Sequence, residues 1–404
     1  MNLSLEYFVK RHGTILGVPQ GVVFFLLFCV AFRLSFGFCT VAFGVISESE
    51  ITLENYSDGD VVRYPVVLLR GRVVGRENEV VIIENLSSSL PSRIVRTSTC
   101  RGRFKALMEL TEGVNHLSIA SGSARLDISL FYHRSSNKHF VRLILFLDSS
   151  GEDNFAVPEE WTNAHRPSLR SEELFHKFQT AALLWQTATA ERLYDAGYGR
   201  RTFTLETDRR GRVIVWKQRG KKSSEEYFAK SEVERFREIY KEIVSGSAFD
   251  KNACYFILTA FSGENEIAGR MYGRVALGVD NVAMFDSATF FSCPDEVGDA
   301  PEYFSDPSVV SSQWFRDSAY RNTRWALTSS TLGAGLHELG HAFGLSHSTD
   351  PNDFMSRGFD RFNRIFTLVE PPSSLSPGGE FKDDEVVEWT SSTAPKLIRS
   401  PWIE

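Results

Sequence analysis

The sequence predicts an α+β protein in which a β-sandwich-like module precedes a domain of mixed strands and helices. Short β-branched or alternating runs fill residues 51–147, and the first long segment with helical spacing follows at residues 171–197. A histidine-rich stretch, "HELGHAFGLSH", lies at residues 337–347. We therefore expect an N-terminal segment, a β-rich accessory domain and a larger α+β domain over residues 1–45, 46–137 and 138–404.

Composition excludes some classes of protein. The chain has 404 residues, of which 42% are hydrophobic, and this is enough for one large domain or two ordinary ones. The formal net charge is -6, and apart from "RGKK" at residues 219–222 the charges are well mixed. A protein that binds nucleic acid would be expected to show a basic face, so no nucleic acid partner is predicted. Nothing in the sequence indicates an oligomeric state.

The five cysteines do not form a recognisable pattern. There is no CxxC pair, and an odd number of cysteines at wide spacing describes neither a disulfide framework nor a zinc-thiolate cluster. The sequence leaves open one disulfide bond among Cys100, Cys254 and Cys293.

The N-terminal segment resembles a secretory signal with a long lead. A basic triplet at residues 10–12 precedes the apolar run "GVVFFLLFCVAF" at residues 21–32, and small residues follow at Thr40, Ala42 and Gly44. Because Arg33 ends the apolar run, no stretch of about 20 apolar residues could span a bilayer. We expect a cleaved signal and a secreted protein, with membrane contact only if the segment is retained. The alternative is a dispensable extension before a cytoplasmic protein.

Strands are predicted through the first part of the chain. Four runs carry the pattern, namely "VVRYPVVLLRGRVVG", "EVVIIENL", "ARLDISLFYH" and "HFVRLILFLD". The fourth run is expected to belong to the domain that follows it.

Helices and further strands are predicted next. Residues 171–197 form an amphipathic helix, with Ser171 as the N-cap and Gly197 as the stop, and "SEVERFREIYKEIV" has helical spacing. "RTFTLET", "CYFILTAF" and "GRVALGVDNVAMF" read as strands. The last of these could form the edge of a cleft that pairs with an extended peptide, although its apolar content favours a buried strand.

The histidine-rich stretch is predicted to begin on a helix. Thr328 or Ser329 can cap a helix that continues through His341. Glycines at positions 333, 335 and 340 each lower helix propensity by up to about 1 kcal/mol. They indicate either a close approach of side chains or substrate to the helix backbone, or tight packing.

The spacing of the histidines is that of a metal site. On a helix, His337 and His341 are one turn apart, so both imidazoles can reach one cation. Glu338 lies beside them, where a general base for a metal-bound water should stand. Gly344 can take the positive φ that ends the helix, after which His347 returns as a third ligand. Three histidines leave a coordination position free, which is typical of one catalytic Zn²⁺ ion.

This stretch resembles the extended zinc signature of the metzincin metallopeptidases. The resemblance implies that Met355, in "DPNDFMSRGFD", forms a turn beneath the metal and packs there without ligating it. "HSTDP" resembles the matrixin branch, but Ser356 and Arg357 replace its Tyr-Pro, and "STCRGRF" around Cys100 is not a cysteine switch.

The chain from residue 138 onward, including "MSRGFDRFNR" at residues 355–364, resembles a little-characterised family of eukaryotic zinc metallopeptidases more closely than it resembles the matrixins. That similarity implies a metzincin-like catalytic domain with a twisted mixed sheet, an active-site helix, a smaller subdomain below the cleft and zinc between them.

Other polar residues are predicted to be structural. Asp350 and Asp353 can either orient a ligand imidazole or cap the turn, and the turn is favoured. The remaining histidines outside the N-terminal segment are expected to be surface or hydrogen-bonded structural residues; these are His116, His133, His139, His165 and His176.

The predicted function is that of a zinc-dependent endopeptidase acting on a peptide or protein substrate. Glu338 accepts the proton of the zinc-bound water and passes it to the leaving amine, while the three histidines hold the metal. Two alternatives stay open at this point. One is a zinc hydrolase of a non-peptide amide, and the other is a non-catalytic binding protein with a remnant zinc site.

Overall fold

The structure is a computed structural model that describes residues 50–74, 77–151, 154–155, 171–265, 270–272, 275–311 and 316–404. The signal-like segment, residues 1–45, and His165 lie outside the described residues. Among the helices that are described, none is both long and apolar enough to cross a membrane. All of the described residues belong to one compact unit.

The described residues form a mixed α/β structure with several sheets. The strands are β1 (Ile51–Leu53), β2 (Val61–Val62), β3 (Val66–Val73), β4 (Val80–Asn85), β5 (Ile94–Ser98), β6 (Arg103–Glu109), β7 (Gly113–Ser121), β8 (Ala124–Tyr132), β9 (Phe140–Leu147), β10 (Asn154–Phe155), β11 (Val215–Arg219), β12 (Ala253–Thr259), β13 (Phe261–Asn265), β14 (Arg270–Tyr272), β15 (Ala276–Val279), β16 (Val282–Asp286), β17 (Val369–Glu370) and β18 (Gly379–Glu380). The α-helices are α1 (Ser171–Asp195), α2 (Ser224–Phe228), α3 (Glu232–Val244), α4 (Ala300–Tyr303), α5 (Arg324–Ala342), α6 (Asn363–Phe366) and α7 (Ala394–Leu397).

Two sheets occupy the N-terminal part of the described chain. One has the strand order β1-β3-β6 and the other β2-β8-β7-β4-β5. Side chains alternate along β3, so Val67 and Leu69 join the core between these sheets, whereas Val66 and Leu68 join the core around α1 and α5. The three-stranded sheet therefore contributes to both cores.

The predicted strands of this part are largely present. The first run is divided into β2 and β3, because Pro65 has no N–H for a ladder and β3 begins at Val66. The strands β1, β5, β6 and β7 were not predicted individually, because β1 is only three residues long and polar residues interrupt the apolar pattern of the other three.

A five-stranded mixed sheet lies in the second part, with the order β11-β9-β12-β16-β15. Strand β9 pairs in parallel with β11 and with β12, which confirms that the run "HFVRLILFLD" belongs with the residues that follow it. Every pair in this sheet is parallel except β15 with β16. Strand β15 forms one edge of the sheet.

Two of the segments that were predicted as single strands have a different structure. "GRVALGVDNVAMF" contains the hairpin β15–β16, because Asp280 turns the chain with a φ of 50°. "RTFTLET" makes only isolated bridges, such as Val141 with Leu205 and Thr207 with Val213, and is not a regular strand.

The three predicted helices α1, α3 and α5 are present, although the predicted N-caps of α1 and α5 are wrong, and the short helices α2, α4, α6 and α7 were not predicted. Helix α1 already includes Ser171, so this residue is not the N-cap, whereas Gly197 follows the helix end with a φ of 84°. Helix α3 is capped by Ser231, whose side chain accepts a hydrogen bond from the Glu234 backbone N–H.

Helix α5 begins earlier than predicted, with Thr323 as the N-cap residue. The proposed caps Thr328 and Ser329 lie inside the helix, because their hydroxyl groups donate to the buried carbonyls of Ser292 and Asp360.

Helix α5 lies in the centre of the main core, and nearly all of its residues are buried. Its three glycines face neighbours too close for a Cβ atom: Phe359 O for Gly333, the Trp185 ring for Gly335 and Met355 Sδ for Gly340. Tight packing therefore accounts for these positions.

Cys100, Cys254 and Cys293 are free, so the disulfide bond that the sequence left open among them is not formed.

Candidate metal centre

The C-terminal turns of α5 bring the first two predicted ligands together. His337 and His341 project from the same face, and their Nε2 atoms are 3.1 Å apart. His337 is buried and His341 is partly exposed. Because α5 is anchored in the core along its length, the spacing of these two imidazoles is set by the helix.

The third histidine returns to this point through a tight helix end. The Gly344 N–H donates to His341 O at 2.9 Å and the Leu345 N–H donates to Gly340 O at 3.0 Å. This is a Schellman arrangement, and Gly344 takes the required left-handed conformation with a φ of 94°. His347 Nε2 consequently lies 3.1 Å from His341 Nε2.

Backbone carbonyls fix the tautomers of two imidazoles. His337 Nδ1 lies 2.7 Å from Phe354 O, and His341 Nδ1 lies 2.8 Å from Leu345 O. A carbonyl can only accept, so each Nδ1 carries the proton and each Nε2 presents a lone pair.

The resulting donor set fits a metal ion. The ligand atoms of the three histidines all lie within 4.8 Å of one another. A tetrahedral zinc ion with bonds of 2.0–2.1 Å separates its ligand atoms by about 3.3 Å. Nitrogen lone pairs that face one another at this spacing repel unless a cation lies between them.

The ionisation of the histidines favours metal binding. Burial lowers the pKa of His337 to about 4, and burial also lowers the pKa of His341. Both imidazoles are therefore neutral near pH 7, and the neutral form is the one that binds a metal.

Glu338 lies beside the histidines but outside the cluster that can hold a metal. Its side chain is largely buried, and burial, followed by the negative charge of Glu232, raises its pKa to about 8. The backbone N–H of Gly278, on strand β15, faces the carboxyl group and acts in the opposite direction. A buried carboxyl group with a raised pKa in a cleft is typical of an acid–base residue.

Met355 lies beneath the helix that carries the histidines. It is fully buried, and its Sδ atom occupies the space where Gly340 would otherwise hold a Cβ atom. Its backbone oxygen accepts a hydrogen bond from the N–H of Ser348, the residue after His347, at 2.8 Å.

A cavity of about 410 Å³ opens beside the histidines. Its lining includes His337, Glu338 and His347, together with Ala276 at the start of edge strand β15. Arg357 also lines it, and this guanidinium pairs with Asp360 at 2.7 Å and with Asp317 at 3.4 Å. The candidate site thus lies at the meeting of helix α5, edge strand β15 and the loop after Met355.

The remaining predicted residues lie outside the metal cluster. Asp350 and Asp353 accept backbone N–H groups two residues ahead, from Asn352 and Met355, so both cap the turn as predicted. Among the described histidines, His116 contacts Ser129, and neither it nor His133, His139 or His176 joins the cluster.

Sequence reasoning missed Gly278, whose close approach to α5 depends on long-range packing. A Cβ atom at this position would lie 2.1 Å from Glu338 O. Only the interruption of an apolar run by glycine could have indicated such an approach.

Three convergent imidazoles on a buried helix, with a carboxyl group beside them, define this α/β chain as a protein with a candidate metal site of the kind found in metal-dependent hydrolases. The model of the Metallopep family, whose description is "Putative peptidase family", matches residues 50–403. The chain belongs to this family.

Two curated relatives carry names of the same kind. A Schizosaccharomyces pombe protein named "Putative zinc metalloproteinase" is 26% identical over 80% of this chain and 54% of its own length. A Saccharomyces cerevisiae protein with the same designation is 24% identical over 81% of this chain and 50% of its own length. The chain therefore spans about half the length of the curated relatives it matches.

Solved structures show weaker similarity. OgpA from Akkermansia muciniphila has a TM-score of 0.37 and 17% identity over 57% of each chain. Archaemetzincin from Methanopyrus kandleri has a TM-score of 0.24 and 15% identity over 56% of this chain and 93% of its own.

Proposed function

We propose that this protein is a zinc-dependent metalloendopeptidase. The observation that carries the proposal is the convergence of three imidazole Nε2 atoms, at successive distances of 3.1 Å, beside the buried carboxyl group of Glu338. In this proposal His337, His341 and His347 hold one zinc ion.

Glu338 serves as the general base. Zinc, when bound, supplies Lewis acidity for the scissile carbonyl and lowers the pKa of water to about 7. Glu338 is ionised at neutral pH under these conditions, because a neighbouring cation favours the carboxylate over the neutral form. It then accepts a proton from the attacking water and passes it to the leaving amine.

The arrangement around the site is proposed to be of the metzincin type. Met355 supports the histidines from below, and Gly344 supplies the turn that returns His347. We further propose residues 138–404 as the catalytic domain and residues 46–137 as a β-sandwich-like accessory domain. The core shared by the two N-terminal sheets supports the second assignment.

A peptide substrate is favoured over a small amide by edge strand β15. The strand lies at the end of the mixed sheet and next to the cavity. In the β15–β16 hairpin, Ala276 and Gly278 occupy non-hydrogen-bonded pairs, so their backbone N–H and C=O groups point away from β16. The outward N–H of Ala276 is held by the exposed side chain of Glu232 at 3.0 Å, which an incoming peptide can displace. An extended peptide can add to such an edge, whereas a small amide gains nothing from it.

The buried carboxyl group of Glu338 argues against a purely binding function. Burying a carboxyl group costs free energy, and binding of zinc by three histidines does not require it. A site retained only for metal binding has no physical need of an acid at this position.

The test is incubation of the purified chain with a mixed peptide library, with and without a zinc chelator, read by mass spectrometry. Internal cleavage that the chelator abolishes is the expected result. Cleavage of small amides alone would support the non-peptide alternative, and binding without any cleavage would support the binding protein.

A further inference from the structure

Asp353 is a buried carboxyl group that joins the loop beneath the histidines to the C-terminal segment. It is fully buried, and its carboxylate accepts hydrogen bonds from two backbone N–H groups, those of Met355 and Thr390, and from two hydroxyl groups. Its Oδ1 accepts the Met355 N–H at 2.8 Å, while its Oδ2 accepts the hydroxyl groups of Thr390 and Thr393, the latter at 2.7 Å. An acceptor-only carboxylate fits this environment, whereas an amide would place N–H groups against the threonine hydroxyls.

The turn that Asp353 fixes makes three contacts to the metal centre. The Phe354 carbonyl accepts the Nδ1–H of His337 at 2.7 Å. The Met355 carbonyl accepts the N–H of Ser348, which immediately follows His347. The Met355 side chain packs against Gly340, next to His341. A displacement of this turn would therefore move the surroundings of all three histidines together.

The C-terminal segment holds the turn from its other side. The Phe354 N–H donates to Glu388 O and the Glu388 N–H donates to Asn352 O, both at 3.0 Å. The Trp389 ring lies 4.4 Å from the Phe354 ring, measured between centroids. Residues 388–393 thus contact the turn through backbone, aromatic and hydroxyl groups, although they lie far from the histidines in sequence.

We propose that Asp353, together with Thr390 and Thr393, is a positioning unit that sets the affinity of the metal site. It acts through the Phe354 carbonyl, which keeps the proton of His337 on Nδ1 and so leaves Nε2 as the ligand atom. The inference rests on the proposed function only for the identity of the ion. Partners that orient metal ligands typically contribute 10- to 100-fold to metal affinity.

The experiment measures the zinc dissociation constant of the full chain by competition with a chromophoric chelator, alongside thermal unfolding of the metal-free protein. Asp353→Asn is expected to raise the dissociation constant by about 10- to 100-fold. Thr393→Val, which removes one donor and leaves the carboxyl group in place, is expected to raise it by roughly 2- to 10-fold, the equivalent of one hydrogen bond. Thr393→Ser, which keeps the hydroxyl group, should have the same zinc dissociation constant as the parent.

Thr189→Val is the matched control. Thr189 is also a buried threonine whose hydroxyl group donates one hydrogen bond, to Trp185 O at 2.8 Å, but it lies in α1 away from the turn. It is expected to lower the unfolding temperature as Thr393→Val does while leaving zinc affinity unchanged.

The inference is overturned if Thr393→Val binds zinc as tightly as the parent, or no more weakly than Thr189→Val. The comparison of Thr393→Val with Thr189→Val tests the inference even if Asp353→Asn fails to fold. Failure of the proposed function is distinguishable, because then the parent itself would bind no zinc or would bind zinc without cleaving any peptide.

Discussion

Gly278 and Glu338 are in close backbone contact between strand β15 and helix α5. A Cβ atom at Gly278 would lie 2.1 Å from Glu338 O and 2.7 Å from His341 Cβ. The same glycine directs its N–H toward the Glu338 carboxyl group. Edge strand β15 therefore approaches the metal-binding turn of α5 as closely as two backbones can, and only glycine permits this.

Gly278→Ala is expected to force the strand and the helix apart. Neither backbone can yield cheaply, so the free energy of unfolding should fall by about 1–3 kcal/mol. Peptide cleavage should fall by up to about 10²-fold, because small displacements of reacting groups are costly. Gly298→Ala is the control, since a Cβ atom there has no neighbour within 4 Å. Equal stability and activity of the two variants would contradict the contact.

The parent protein should contain about one zinc ion per chain, since three ligands are present. His341→Ala is expected to lose this zinc, because its Nε2 atom lies between those of the other two histidines. Metal content is measured by atomic emission on the dialysed protein. His116→Ala, which removes an exposed histidine outside the cluster, should keep full occupancy. Full zinc content in His341→Ala would mean that the metal binds elsewhere.

The stability of the metal-free protein should depend on pH through Glu338. The folded state raises the pKa of this group from 4.5 to about 8, so it binds the proton more tightly than the unfolded chain. Its contribution to stability is complete below pH 4.5 and is lost as the pH rises through about 8. Glu338→Gln has no such titration.

Urea unfolding in the presence of a chelator checks this prediction. The stability of Glu338→Gln relative to the parent is expected to increase from pH 4.5 to pH 8 and then to level off. The histidines are present in both proteins, so their contribution to stability cancels in the difference. A difference that stays constant across this range would show that burial does not perturb the carboxyl group.

The N-terminal segment carries a separate prediction. If residues 21–32 form the core of a secretory signal, the mature protein should begin between Phe43 and Ser47. N-terminal sequencing of the protein from its native source provides the measurement. An intact Met1 or Asn2 on protein recovered from the cytoplasm would rule out the signal while leaving the enzymatic proposal untouched.

The parts of the site that the sequence predicted are local. His337, His341 and His347 converge because helical spacing and one left-handed glycine determine their positions within a single short stretch. Helices α1 and α3 were predicted for the same reason, since apolar residues at helical spacing lie within one continuous segment of each helix.

The parts that were missed depend on contacts distant in sequence. Gly278 approaches α5 only after the sheet has formed, and Asp353 meets Thr390 and Thr393 only when the C-terminal segment closes against the turn. The start of α5 was misplaced because Thr328 finds a buried carbonyl on another segment and does not cap the helix. The residue pattern within a single stretch of sequence does not indicate contacts of this kind between distant segments.

The most direct test of the catalytic proposal is the replacement of Glu338 by Gln. The substitution keeps the size and helix propensity of the side chain but removes the base, so folding and zinc content should be almost unchanged. Hydrolysis of the best library peptide should fall by about 10²-fold or more, since general-base assistance typically contributes 10²–10⁴. Loss of zinc from the variant would mean that the ligand set is misassigned. Cleavage at the parental rate with zinc still bound would contradict the role of Glu338 as the general base.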